Sequence, residues 1–348
     1  MLTDIFAYRY STVPMWESFG EAERRLLVQV FRLVSEDLFP YWDHAGKERA
    51  EAKQTWKALH DRLSMELGLE ELSPRLIPSS TSPGGWMHLT WVHVCRGFML
   101  SSVQPDVSPD RHMKERLSFA EIAFREREHR LADANSKFEA QVKVAAIFER
   151  AAIATAPTAP DNRADAISAI NRSVNRMFAD NVIELNERLQ RAGVRLHYHN
   201  GFMQVSEDAL IEEHVEAPFW ALLRDDKWRN VDVDMKEALD RRDTGGRDPA
   251  FYAAKALEST IKIISVEKGW TRGDEKGAHG FIDNLASRKN GCFIQSWEKD
   301  ELKGFFSRVR NPLGHGPGDE SMQVLSRQQT SWAIEYCMSW IKSLVQRC

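Results

Sequence analysis

Between residues 21 and 38 the apolar side chains fall at Leu26, Leu27, Val30, Phe31, Val34 and Leu38, the three-and-four spacing of a helix with one buried face, and Pro40 follows as a stop. The same period predicts helices over residues 47–67, closed by Gly68, and over 86–100, 114–131 and 135–152. SPRLIPSSTSPGG, residues 73–85, has the proline, serine and glycine density of a loop. TAPTAPDNR, residues 155–163, is a proline-rich break and predicts a boundary that leaves residues 1–154 as an N-terminal helical domain.

A long helix is predicted over 163–191. GVRLHYHNGFMQV then alternates around Asn200-Gly201, the dipeptide of a type I′ turn, and predicts a small β-hairpin. Helical spacing resumes over 207–240, and RRDTGGRDP, residues 241–249, reads as a second linker. Residues 163–243 therefore form a central helical region with a β-hairpin, and residues 248–348 a unit of their own. There Pro249 suits a first helical turn, Phe251, Ala254, Leu257, Ile261 and Ile264 form an apolar stripe, and Lys255, Glu258 and Lys262 line the polar face beside it. Further helices are predicted over 279–288 and 297–310, and a last one carries Trp332, Tyr336, Trp340 and Leu344 at four-residue intervals. Four such helices suggest a bundle, so the predicted fold is mainly α. The Trp332, Tyr336, Trp340 stripe is assigned to core or dimer interface rather than to a base-stacking platform, and FREREHR, residues 124–130, to a solvated face.

Composition narrows the class. With 43% hydrophobic and 28% charged residues, 11 Trp and 17 Phe in 348, the chain belongs with folded proteins. No window reaches the 18 or so uncharged apolar residues of a membrane span, and MLTDIFAYRY lacks the basic start and apolar core of a secretory signal, so a cytoplasmic protein without a membrane partner is expected. Cys95, Cys292, Cys337 and Cys348 show neither CxxC pairing nor metal-ligand spacing, which predicts free thiols. His197 and His199 share one side of a strand, but no third ligand accompanies them, and neither a metal nor a cofactor is expected. Net charge is −4, yet residues 248–348 hold 14 Lys and Arg against 12 Asp and Glu, so a polyanion is expected to contact the C-terminal part.

RNPLGHGPG, residues 310–318, carries the candidate chemistry. Pro312 disfavours helical geometry at Asn311, so the helix is expected to end beside Arg310, and Gly314, Gly316 and Gly318 let the chain turn tightly around His315. An arginine fork matches phosphate oxygens, and an imidazole moves protons at neutral pH. Arg310 also suits a helix C-terminus as a plain cation, and Glu258 a surface ion pair with its lysine neighbours.

An arginine and a histidine with four residues between them resemble the signature of HEPN ribonucleases, and VRNPLGHGPG is similar to the C-terminal domain of AbiJ-type abortive-infection proteins. FYAAKALESTIKII, from Phe251, resembles the first HEPN helix, in which an acidic residue, here Glu258, faces the site. DIFAYRY with ERRLLVQVFRLV resembles the N-terminal domain of the same group, and residues 181–240 its central region. The resemblance implies a C-terminal HEPN four-helix bundle and a metal-independent endoribonuclease of antiviral defence. It also implies a homodimer through that bundle, and residues 1–154 as a sensor of a phage-derived trigger or regulatory protein.

In such an enzyme the 2′-hydroxyl of RNA attacks the adjacent phosphorus, leaving a cyclic phosphate and a free 5′-hydroxyl. His315 would transfer protons, Arg310 grip the phosphate, Asn311 assist by hydrogen bonding, Glu258 orient Arg310 or His315, and Lys255, Lys303 and Arg308 hold the substrate. Base and acid together need two histidines, and a two-fold dimer supplies the second. The alternative is a catalytically inactive HEPN dimer that binds nucleotide, RNA or a partner protein. An intact Arg310, Asn311 and His315 favours the enzyme, because a scaffold needs no titrating group beside a guanidinium.

Overall fold

The computed structural model describes residues 5–78, 85–155, 163–205, 211, 215–314 and 324–348, with the backbone alone for 149–155. The fold is mainly α, and its sheets among the described residues are two two-stranded hairpins. No helix among the described residues is long and apolar enough to cross a membrane. Two compact units divide the chain, Asp4–Met203 and Gln204–Cys348.

In the N-terminal unit, α1 (Phe6–Arg9) is followed by α2 (Glu21–Arg32), which buries Leu26, Leu27, Val30 and Phe31 and widens into a π-helical turn, Leu33–Leu38, before Pro40. Helix α3 (Ala50–Leu67) buries Trp56, Leu59 and Leu63 and ends on Gly68, whose φ of 68° lies in the left-handed region. The helix expected over 86–100 starts later. Trp86–His88 is a strand, β2, paired antiparallel with β1 (Leu76–Pro78), and α4 begins at Trp91 and runs to Leu100. Trp86, Met87 and His88 are all exposed, so they have no core to face as a helix, and the extended Thr90 fills the position ahead of the first turn.

The two helices expected over 114–131 and 135–152 are one, α5 (Pro109–Thr155), 47 residues long. The apolar period lapses over 132–137 because those residues are exposed, and neither glycine nor proline interrupts the backbone there. Loss of the amphipathic signal marks where the helix leaves the core, not where it stops. Lys137 and Asp133 bridge one exposed turn at 2.7 Å. Helix α6 (Arg163–Arg191) has the predicted bounds, and Asn135 and Asn175 exchange amide hydrogen bonds of 2.9 and 3.0 Å between α5 and α6. The hairpin β3 (Leu196–His199) and β4 (Phe202–Val205) turns at Asn200 and Gly201, whose φ values of 41° and 86° are the pair of positive angles a type I′ turn requires.

FREREHR is not a solvated face: Phe124 is buried, and Arg125 belongs to a charged network under the hairpin. At its centre Glu121, wholly buried, accepts from Arg9 Nη2 at 2.6 Å, Arg125 Nη2 at 2.6 Å and the Met203 N–H at 2.8 Å. Burial alone would raise the Glu121 pKa, but Arg9 and Arg125 outweigh it and hold the carboxyl below its usual range. The buried Lys114 ammonium likewise spends its three donors on the Tyr10 carbonyl at 2.8 Å, the Val13 carbonyl at 2.6 Å and Asp110 Oδ2 at 2.5 Å.

The C-terminal unit contains α7 (Ala217–Leu222), α8 (Arg229–Thr244), α9 (Pro249–Glu267), α10 (Gly277–Ala286), α11 (Ser296–Phe305) and, after a short α12 (Asn311–Gly314), α13 (Arg327–Gln346). Of the helical stretch expected over 207–240, residues 207–210 and 212–214 lie outside the described residues. The rest breaks between α7 and α8, and the expected linker 241–249 is helical as far as Thr244, closed by Gly245 at φ 71°. Small residues of α9 (Ala253, Ala254, Ala256) and of α13 (Ala333, Cys337) let the helices pack closely, and Val231, Met235 and Leu239 of α8 join the same core.

The α13 aromatics stand beside the core rather than within it, which removes the core reading and leaves the dimer-interface one. The buried face runs through Ala333, Cys337, Ile341 and Leu344, whereas Tyr336 and Trp340 are half-buried beside it and Trp332 is 53% exposed. Their rings form a ladder, Trp332–Tyr336 at 5.4 Å and Tyr336–Trp340 at 6.3 Å, with Phe305 stacked on Tyr336 at 4.7 Å.

The turn before α10 depends on one carboxylate. Glu275 accepts from the Arg272 N–H at 2.5 Å, the Gly273 N–H at 3.0 Å and Asn284 Nδ2 at 2.7 Å, and the Arg272 backbone bond first, then the Asn284 amide, lower its pKa to about 2. A carboxyl depressed in the folded state contributes stability above its unfolded pKa of about 4.3 and loses it as pH falls toward about 2. Urea midpoints of the C-terminal unit between pH 6 and 2.5 are expected to fall more steeply for the wild type than for Glu275→Gln. Parallel curves would remove this role.

Candidate functional site

Arg310 closes a π-helical turn, Phe306–Arg310, that extends α11 directly into α12. The helix does not end beside Arg310 as expected: Asn311 is helical, with φ −65° and ψ −42°. Proline clashes with the carbonyl four residues back and cannot make that hydrogen bond, and a π turn has already exchanged the four-residue bond for a five-residue one. The turn holds one residue more than an α turn, which rotates everything after it by about 100°.

Arg310, at the last position of that turn, faces α9. Glu258, 7% exposed, accepts from Arg310 Nη2 at 3.2 Å through one oxygen and from Lys262 Nζ at 2.8 Å through the other. Arg310 Nη1 donates to Asn311 Oδ1 at 3.3 Å, and the guanidinium lies 5.5 Å from the centre of the Phe251 ring. Its Nε is buried without a partner among the described residues. A Cβ on Gly314 would stand 2.9 Å from Phe251 Cε2 and 3.6 Å from Arg310 Nη1, so the ring supporting the guanidinium occupies the space that glycine leaves.

The sequence-predicted residues divide. Glu258, Arg310 and Asn311 meet. Lys255 instead pairs with Asp234 at 2.8 Å, and burial of Asp234 raises that carboxyl's pKa against the opposing pull of the lysine. Lys303 donates to both oxygens of Asp283 at 2.7 and 2.8 Å, and Lys299 reaches the same carboxylate at 2.9 Å. Arg308 is exposed and makes no ion pair among the described residues. His315 lies outside the described residues, as do Gly316 and Gly318.

Two neighbours were missed. Lys262 was read only as a surface partner of Glu258, although its position four residues on is the spacing at which helical side chains meet. His279, on α10, lies with its Nε2 3.4 Å from Ser307 Oγ in the π turn and is a second imidazole beside the element that carries Arg310. Among the described residues no three His, Cys, Asp or Glu side chains cluster as a metal would require.

Searches of the curated proteins and of the solved structures return no match to this chain. The family model described as AbiJ N-terminal domain 4 matches residues 4–221, more than half of the chain, ending before Glu258 and Arg310. The chain therefore belongs to the AbiJ N-terminal domain 4 family.

Proposed function

We propose that this protein is a metal-independent endoribonuclease of the HEPN type, acting as the toxic component of an abortive-infection response. Membership of an AbiJ family ties the chain to abortive-infection defence. The observation that carries the catalytic reading is the buried Glu258 holding Arg310, with Asn311 beside it.

A carboxylate behind a guanidinium fixes the fork without neutralising the site, because Glu258 faces two cations, Arg310 and Lys262, and the cluster keeps a net positive charge. Phosphodiester oxygens are its natural complement. Arg310 stabilises the charge that builds on the phosphorus oxygens as the 2′-hydroxyl attacks, and His315 moves the proton. Paired through their C-terminal units, two chains bring two His315 side chains to one RNA strand, one as base at the 2′-oxygen and one as acid at the leaving 5′-oxygen.

Wild type and His315→Ala are to be expressed in bacteria and the purified proteins incubated with RNA and a chelator. Growth arrest and cleavage leaving cyclic phosphate ends are expected from the wild type alone. Equal cleavage by both proteins would end the proposal for this site, chelator-sensitive cleavage would point to a metal enzyme, and RNA binding without cleavage by the wild type would establish the scaffold reading. Gly314→Ala, by displacing the Phe251 ring beneath Arg310, is expected to slow cleavage about tenfold, since small misplacements of a gripping group are costly. Its thermal midpoint should stay within a few degrees of the wild type, and an unchanged rate would disconnect the Phe251 support from function.

A further inference from the structure

Helices α5 and α6 form an antiparallel pair that runs on past the core of the N-terminal unit. Leu131, Leu185 and Leu189 are buried at its base, whereas 132–137 are exposed, and farther out the described side chains of α5 bury only Ala145. Asn135 faces Asn175 across the seam, which sets the register, each step outward along α5 being matched by one step back along α6. Six of the 17 large hydrophobic side chains exposed among the described residues lie on this pair: Val144, Ile147, Phe148, Ile170, Met177 and Ile183, each 51–64% exposed. Four of them share one side. Val144 and Phe148 are one turn apart on α5, Ile170 and Met177 two turns apart on α6, and each of these twos is offset from its own seam by about a third of a turn in the same sense. In antiparallel helices, equal offsets of that kind bring both stripes to one face.

On α6 the stripe continues at the same seven-residue interval to Arg163 at the outer end and Glu184 at the inner one. Arg163 is exposed in the first helical turn, where a cation opposes the helix dipole. Glu184 pairs with Arg188 and its side chain is still 36% exposed. Lys137, on the α5 side of the face, is offset by Asp133 at 2.7 Å. Cation, apolar, apolar, anion is an order that complements itself when reversed. With a second copy turned end for end, Arg163 meets the partner's Glu184 and Ile170 the partner's Met177, each contact made twice about a two-fold axis between Ser173 and Val174. The exposed stretch is about 30 Å long and two helices, about 20 Å, wide, so pairing would cover roughly 600 Å² on each copy, the lower end of what a specific interface needs.

We infer that this face of the α5–α6 pair is a self-association surface, on which a second copy of the chain docks antiparallel to complete a four-helix bundle. Two such layers bury apolar stripes that one helix pair alone leaves in water. The reversal of charge along the stripe selects a second copy over an unrelated chain. It also selects the antiparallel orientation, because a parallel one would set Arg163 against the partner's Arg163. The inference stands apart from the ribonuclease reading: the face belongs to the N-terminal unit and contains none of the residues assigned to that chemistry.

Cross-linking uses the full chain in a Cys348→Ser background, which removes the exposed thiol. Under mild oxidation Ile170→Cys combined with Met177→Cys is expected to give covalent dimers. Ile170→Cys alone is not, because the two copies of that position lie about 10 Å apart along the helices. In sedimentation at roughly ten micromolar, where an interface of this size is expected to hold, Ile170→Asp combined with Met177→Asp should show a lower mass than the wild type, its pairing weakened about 100-fold or more. Arg163→Glu should weaken pairing about tenfold. These side chains are exposed, so the variants keep their fold, and thermal midpoints within a few degrees of the wild type check it. Three results would each overturn the inference: no covalent dimer from the double cysteine variant, equal cross-linking of Ile170→Cys alone, or equal masses for the wild type and the double aspartate variant. The last is what a face covered by another protein or by the chain's own C-terminal unit would give.

Discussion

Arg310→Ala is expected to lower RNA cleavage about 100- to 1000-fold, the loss that follows removal of one group placed against developing charge, and to release the growth arrest caused by the wild type. The change does not strand a buried acid. Glu258 keeps Lys262 at 2.8 Å, so the variant should fold with a thermal midpoint close to the wild type, and the loss can be read as function rather than misfolding. Arg310→Lys keeps the charge but not the fork, and the shorter ammonium cannot reproduce both the Glu258 bond at 3.2 Å and the Asn311 bond at 3.3 Å; a small part of the activity should return. Cleavage by folded Arg310→Ala at the wild-type rate would remove this residue from the mechanism.

Glu121→Ala is expected to destabilise the N-terminal unit by about 3–5 kcal/mol, the cost of breaking a buried ion pair by removing one partner. Glu121 is fully enclosed and the Arg9 side chain is 4% exposed, so solvent does not screen the loss: Arg9 keeps the Met203 carbonyl at 2.9 Å and Arg125 the Gly201 carbonyl at 2.7 Å, but both lose the Glu121 charge and the Met203 N–H loses its acceptor. Replacing both partners, Arg9→Met with Glu121→Leu, should cost less than the two single changes added together, because no buried charge is then stranded at Arg9. Urea unfolding followed in the N-terminal transition measures both. A loss below about 1 kcal/mol for Glu121→Ala would mean the network is a by-product of packing and not one of its supports.

Elements that punctuate their own ends were legible from the sequence. Gly68 closes α3, the proline-rich segment separates α5 from α6, and Asn200-Gly201 accounts for the hairpin through the backbone angles that those two residues tolerate. Where amphipathic period was the only signal, it reported packing rather than helicity. It lapsed in the middle of α5 because the helix there runs through solvent, and it pointed to the large aromatics of α13 although the close approach of α9 selects the small residues Ala333 and Cys337. The meeting of Glu258 with Arg310 followed from the family resemblance. The partners of Lys255 and Lys303 did not, since Asp234 and Asp283 lie 21 and 20 residues away along the chain and face them only once the helices have packed. The Arg9–Glu121 pair spans 112 residues and leaves no local trace.

Misreading the end of α11 has a different origin: a five-residue hydrogen-bonding register leaves no mark in the pattern of side chains. It does leave one in arithmetic. Because the wide turn from Phe306 to Arg310 takes up a single additional residue, the compass bearing of the guanidinium depends on how many residues stand between Phe305 and Arg310 more than on which they are. Deleting one of them, such as the exposed Ser307, would leave an ordinary α turn with everything beyond it in place, whereas inserting one would swing Arg310 off Glu258 while altering no group that touches either.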